Sequence, residues 1–299
     1  MARHHRPMDL RFHRIAALVL LCGIVMAPCA SLAVNLVSNG SFESYVSCPT
    51  SFSQIYQAAP WNAPTTGTSD YLNACAPVVF PSVNVPQNEQ GYQTALTGMG
   101  YAGIIPFSAA ADYREYVQAP LTSALVANAS YLVKFYVSLA DSSILAIDRL
   151  GAYLSVGPVG PVGNYAPLAV TPQVESPANV RLTNSTGWTL VSGVVVASGG
   201  EDHIVIGSFH DDASTSTVPG PGLWPGGAYY YIDDVSVELA LPAEQGCCMS
   251  DNSCSMQFPG ECTLLGGTPA GPGTTCAPNP CLPVRAQSKT WGAVKAIYR

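Results

Sequence analysis

Nine short runs rich in Val, Ile, Tyr and Thr, each closed by a cluster of glycine, proline, asparagine or serine, restrict this chain more than any other feature of its sequence. The runs are the opening AVNLV, GYQTALTG, YAGIIPF, REYVQAPL, SYLVKFYVSLA, DRLGAYLSV, GWTLVSGVVVA, EDHIVIGSF and the closing YYYIDDVSVELA. Such composition and punctuation belong to short strands joined by turns. No sustained helical period separates them, so they predict an all-β antiparallel sandwich over residues 34–241, not a parallel sheet wrapped by helices. Two long proline-rich connections, GPVGPVGNYAPLAVTPQVESPANVRLTNSTG and HDDASTSTVPGPGLWPGGA, are of a length usually reserved for functional or mobile loops.

The last run poses a chemical problem. Counting by twos places Tyr231, Asp233, Val235, Val237 and Leu239 on one strand face, and Asp234, Ser236 and Glu238 on the other. Asp233 therefore falls on the apolar face. A buried carboxylate is costly unless a basic group, hydrogen bonds or a metal ion compensates it. Only Arg114, Lys134, Arg149 and Arg181 are available as bases between the first strand and the C-terminal tail.

Residues 1–33 have a basic front, an apolar run from Ile15 to Ala27, and small residues at Ser31 and Ala33. This is the pattern of a cleaved secretory signal peptide, its apolar part too short to span a bilayer comfortably. The sequence predicts an exported chain, secreted or at the cell surface, with no transmembrane segment after cleavage. The leader holds four arginines and one aspartate of the chain's 12 basic and 19 acidic residues, leaving a mature net charge of −10. An acidic chain gains nothing from nucleic-acid phosphates, which excludes that class of partner.

Eight cysteines follow the leader, in two territories. Cys48 and Cys75 stand apart near the start; Cys247, Cys248, Cys254, Cys262, Cys276 and Cys281 crowd residues 246–283. In an exported chain these read as a loop staple and a disulfide-rich mini-domain too small to fold on apolar burial alone. Zinc is the alternative for the cluster, but the cluster has no histidine and no C-x-x-C pair. Six cysteines allow fifteen pairings, and none is preferred on sequence. The tail, 284–299, carries four basic residues and reads as a flexible end, a short helix or a sorting signal.

The segments NLVSNGSFE and YYYIDDVSVEL bracket the β domain as they do in carbohydrate-binding jelly-roll modules of the galactose-binding-like superfamily, which this domain resembles. The resemblance implies that the first and last strands are neighbours. It also implies a structural calcium ion between Glu43 and Asp233, with backbone carbonyls near Asn39 or Ser41 completing the shell. CPTSFSQIYQAAPWNAPTTGTSDYLNAC, VPQNEQGYQTALTGMGYAGI, YREYVQAPLTSAL and GGEDHIVIGSFHDD are similar to an uncharacterised exported jelly-roll domain of Bacteroidetes-type surface proteins. The cysteine cluster resembles small repeats of environmental bacterial surface proteins. Together these likenesses imply export and display, and no particular reaction.

A sugar-binding face needs aromatic rings to lie against pyranose C–H groups and a few polar side chains to fix hydroxyls. Trp61, Asp70 and Tyr71 fall in the stretch between Cys48 and Cys75, and Tyr101, Arg114 and Glu115 are candidates to join them. The competing reading is that the rings pack the loop onto the sandwich and Arg114 pairs with Glu115 or Asp112. Asp70 and Glu115 would also serve as a hydrolytic pair if they faced one another across a cleft. No G-x-S-x-G elbow or phosphate-cradling glycine loop is present. His203 reads as a half-buried strand residue, and His210 opens a solvated turn. The expected function is a non-catalytic glycan-binding or adhesion module; a structural surface protein making protein contacts and a carbohydrate-active hydrolase are the alternatives.

Overall fold

The computed structural model describes residues 34–240 and 242–282 of the chain, so the expected signal peptide and basic tail lie outside the described residues. Two antiparallel sheets face each other in a jelly-roll sandwich. The larger contains β1 (Asp70–Asn73), β2 (Gly100–Ser108), β4 (Ser130–Leu139), β7 (Thr189–Val196) and β9 (Gly227–Leu239), in the order β1-β2-β9-β4-β7. The smaller contains β3 (Tyr116–Pro120), β5 (Gly151–Ser155), β6 (Val174–Glu175) and β8 (His203–Gly207), in the order β3-β8-β5-β6. Toward the C-terminus a three-stranded sheet pairs β10 (Gln245–Cys248) with β11 (Cys254–Gln257) and β12 (Thr268–Pro269), with one short helix, α1 (Pro259–Leu264), between the last two. Among the described residues no helix is long and apolar enough to cross a membrane.

Alternation explains the main core. Val133, Phe135 and Val137 of β4, Ala102 and Ile104 of β2, and Tyr230 and Ile232 of β9 point inward from the larger sheet. Val117, Ala119, Leu154, Ile204 and Ile206 meet them from the smaller one. The larger sheet's outer face is also covered. Leu72, Tyr101, Tyr229 and Tyr231 pack there against Ala76, Val83 and Val85 of the connection between β1 and β2. The central strands are therefore buried on both faces, which costs the simple polar-out pattern.

Three sequence expectations change. Only Gly91–Tyr92 of GYQTALTG is strand, pairing with Gln87–Asn88; the remainder is a loop. The opening AVNLV makes one isolated bridge, Val37 to Leu121, although Leu36 donates its N–H to the Val237 carbonyl at 2.8 Å and so lies beside β9. The face assignment along β9 also fails. A bulge between Asp233 and Ser236, with Asp234 at φ 46°, turns the strand over. Tyr231 belongs to the outer-face cluster while Val235 and Val237 belong to the core, so Asp233 does not share a face with those valines.

Candidate functional site

Asp233 is fully buried, and its partners are backbone amides. Its Oδ2 accepts N–H from Leu96 at 2.8 Å and Thr97 at 3.4 Å, and its Oδ1 accepts N–H from Asp234 at 2.7 Å. Glu43 reaches the same loop, its Oε1 accepting the N–H groups of Met99 at 2.7 Å and Gly100 at 2.9 Å. Between these amides sits Gly98 at φ +65°, where a Cβ would occupy the space filled by the Glu43 carboxylate. No arginine or lysine pairs with Asp233 among the described residues. Burial, and then the Asp234 carboxylate beside it, push its pKa up to about 8 despite the three amides.

The donor set suits a calcium ion in one respect: two carboxyl groups accept from one short loop, and no cationic side chain among the described residues meets Asp233. Oxygen lone pairs remain, since Glu43 Oε2 has no hydrogen-bond partner among the described residues. Among those residues no group of three or more Asp, Glu, His or Cys side chains gathers, so carbonyls and water would have to supply the rest of the shell.

The aromatic candidates between the first two cysteines are packing residues, not an exposed sugar platform. Trp61 is 1% exposed, stacks on Phe42 at 4.7 Å between ring centroids, and donates its indole N–H to the Asn39 carbonyl at 2.8 Å. Tyr71 donates its hydroxyl to the Phe42 carbonyl at 2.8 Å. Tyr101 donates to the Gln93 carbonyl at 2.9 Å and lies edge-on to Tyr231 and Trp188. The physical reason is β1: this stretch contains an edge strand, and all four of its residues are buried.

Arg114 is likewise withdrawn. Its fully buried guanidinium pairs with Asp212 at 2.9 Å, donates Nε–H to the His210 carbonyl at 3.0 Å and Nη1–H to the Tyr113 carbonyl at 2.9 Å. It ties two loops together and is not available to a ligand. Its acidic partner is thus Asp212, neither Glu115 nor Asp112. His203 pairs with Asp202 at 2.8 Å, and His210 is fixed between Glu175 at 3.0 Å and Arg149 at 3.2 Å.

Asp70 and Glu115 do come together. Both are buried beside a cavity of about 240 Å³ on the outer face of the larger sheet, whose walls include Phe52, Gln90, Trp224 and Tyr229. Glu115 is saturated: Oε1 accepts the Thr68 N–H at 3.0 Å, the Thr68 hydroxyl at 2.8 Å and the Tyr113 hydroxyl at 2.6 Å, and Oε2 accepts the Ile105 N–H at 2.8 Å. Asp70 accepts fewer bonds, from the Ser53 N–H at 2.5 Å and the Tyr229 hydroxyl at 2.7 Å. Burial raises both pKa values, and the Glu115 charge raises that of Asp70 further.

Phe52 and Trp224 are half-buried, so each offers ring surface to the cavity. Gln90 is fixed through Oε1 by the Ser142 hydroxyl, and its Nε2 has no partner among the described residues. The site thus contains ring surface, an amide donor and a buried carboxyl. Its missed members, Phe52, Gln90 and Tyr229, come from three distant segments; β1 and β9 both pair with β2, which brings Tyr229 to Asp70, and the other two arrive on connections.

All eight described cysteines are bonded, as Cys48–Cys75, Cys247–Cys262, Cys248–Cys281 and Cys254–Cys276. The first holds the loop before β1 to the connection after it.

No family model matches the chain, and no curated protein matches it. Solved structures similar to it include a Stig cyclase from Fischerella sp. TAU, at 11% identity over 70% of this chain and 98% of the other, with a TM-score of 0.43. The CBM22-1 xylan-binding domain from Paenibacillus barcinonensis is similar at 15% identity over 69% and 95%, with a TM-score of 0.36. The K1 cleaved adhesin domain of Lys-gingipain from Porphyromonas gingivalis W83 is similar at 13% over 67% and 96%, with a TM-score of 0.31. These identities and scores are low, and the chemistry of the chain is read from its own residues.

Proposed function

We propose that the sandwich is a non-catalytic glycan-binding module and that one sugar unit, presented by a surface polysaccharide or glycoconjugate, occupies the cavity beside Asp70 and Trp224. The observation that supports this most is the pairing, in one cavity, of two half-buried rings with the buried Asp70 carboxyl and an unpartnered amide. Ring faces attract pyranose C–H groups, and a few fixed polar atoms orient hydroxyls. Trp224 and Phe52 would supply the first; Asp70 and Gln90 would supply the polar contacts. The volume suits a single unit, not an enclosed chain.

Hydrolysis is the weaker reading. A general acid must reach the glycosidic oxygen, and a nucleophile or base must face the opposite side of the ring. Glu115 is fully buried with four donors on its two oxygens, which fixes it as a structural acceptor.

Calcium joining Glu43 and Asp233 is part of the same proposal. Bound there, the ion would supply the positive charge that Asp233 lacks and would act on stability, away from the sugar cavity. Four disulfides support secretion or surface display, since such bonds persist in oxidising compartments. The test is a glycan array probed with residues 34–299, in calcium and in EGTA. The expected result is retention on a restricted set of glycans; no retention in either condition removes the glycan reading.

A further inference from the structure

From Ser44 to Asn88 the chain contains one charged residue, Asp70, and that one is buried. These residues form two excursions on either side of β1, fastened to each other by the Cys48–Cys75 bond. The surface they make is therefore free of charge, on a chain whose overall balance is strongly acidic.

It is also apolar. Val78, Val79 and Phe80 are 81%, 56% and 84% exposed, and Val46, on the opposite side of the disulfide, is 74% exposed. Tyr45 and Tyr56 are exposed beside it, the Val46 N–H being bonded to the Gln57 carbonyl at 2.8 Å. Three consecutive large side chains reach such exposure only at the end of a protruding loop.

The loop has apolar residues to bury, and it buries different ones. Ala76, Val83 and Val85 at its base enter the outer-face cluster. The base is then locked by the disulfide, by the Asn73 N–H to the Val83 carbonyl at 3.1 Å, and by the Asn84 amide to the carbonyls of Ala74 at 3.2 Å and Ala76 at 2.5 Å. The tip cannot fold back onto the sandwich. Contiguous exposed apolar surface of this kind marks a protein or membrane contact.

The geometry points to a lipid surface: we propose that the Val78–Phe80 tip, with Val46 on the excursion the disulfide joins to it, inserts into the headgroup boundary of an uncharged bilayer. A protein partner would have to offer a socket for a convex tip, whereas a bilayer interface accommodates one without prior shape. Tyrosines flanking such a tip suit the interface, where the ring is apolar and the hydroxyl wet. The absence of basic residues excludes attraction to anionic headgroups, so the contact is hydrophobic and indifferent to salt. Neither Val46 nor any residue of the Val78–Phe80 tip lines the sugar cavity, and the proposal stands without the glycan reading.

The test is flotation of residues 34–299 with phosphatidylcholine vesicles, and with vesicles doped with phosphatidylglycerol, at low and high salt. The expected result is co-flotation with pure phosphatidylcholine that salt does not reduce and that Val78→Ser/Val79→Ser/Phe80→Ser lowers by about tenfold or more. All three positions are exposed, so the variant should melt with the parent. A Phe80→Trp variant should show an emission blue shift on adding vesicles. The proposal is overturned by absence of co-flotation, by binding that requires phosphatidylglycerol and disappears in salt, by a triple variant that floats as well as the parent, or by unshifted Phe80→Trp emission.

Discussion

Glu43 and Asp233, at opposite ends of the sandwich sequence, are held by one loop: Leu96 and Thr97 donate their amides to Asp233, and Met99 and Gly100 donate theirs to Glu43. The loop therefore joins the start of the domain to its last strand. Asp233 is satisfied by backbone amides, and no cation among the described residues meets it.

That imbalance predicts how stability responds to pH and calcium. The folded pKa of Asp233, about 8, lies above its unfolded value, so its contribution is fully present in acid and is lost as pH rises from about 4 through about 8. Asp70 and Glu115 shift in the same direction and add to the slope. In EGTA the melting temperature should fall between about pH 5 and about pH 8. Calcium binds the ionised form, so it should restore stability most at the upper pH, and Asp233→Asn should flatten the slope and abolish the calcium effect. A melting temperature indifferent to calcium at the upper pH would remove the ion and leave the amide clamp.

Glycine at position 98 is part of that clamp. Gly98→Ala strains a left-handed backbone and places a methyl group where the Glu43 carboxylate sits. It should cost about 1–3 kcal/mol in urea denaturation, and most of that cost should disappear in a Glu43→Ala background, except the backbone strain. Equal cost in both backgrounds would show that Glu43 is not held there.

Trp61 and Trp224 should separate stability from binding. Trp61→Ala removes a buried, stacked and hydrogen-bonded indole and should cost about 3–5 kcal/mol of folding stability. Measured by urea denaturation, a loss below about 1 kcal/mol would contradict its place in the core.

How much of this was legible in sequence depends on the residue. The strands β2, β4, β7, β8 and β9 were readable because period-two patterning and turn residues are local. Asp233 was recognisable as a problem, yet its surroundings were not, because one bulge at Asp234 reverses the faces downstream and a bulge leaves little trace in composition. Trp61 and Tyr71 looked like loop aromatics because β1 is only four residues long and sits among turn signals. Asp70 and Glu115 could be named, but their companions Phe52 and Gln90 could not, since they converge through long connections.

The Cys48–Cys75 bond spans 27 residues and fastens the apolar tip as well as β1. Its removal by Cys48→Ser/Cys75→Ser should lower stability by about 2–4 kcal/mol, and should raise proteolysis within residues 75–86 before the rest of the domain is cut. Unchanged proteolysis there would contradict the fastening role.

The mini-domain gives a covalent prediction. Mass mapping of unreduced peptides should recover Cys247–Cys262, Cys248–Cys281 and Cys254–Cys276. Adjacent cysteines with different partners make the pattern specific, and any other dominant pairing would contradict the fold of this unit.

The glycan site is tested most directly by calorimetric titration of the strongest array ligand into the parent and Trp224→Ala proteins at matched folding. The account predicts that affinity falls by about tenfold or more in Trp224→Ala, while the melting temperature stays close to that of the parent. Unchanged affinity in a folded Trp224→Ala protein would place the sugar elsewhere and contradict the assignment of the Asp70 cavity.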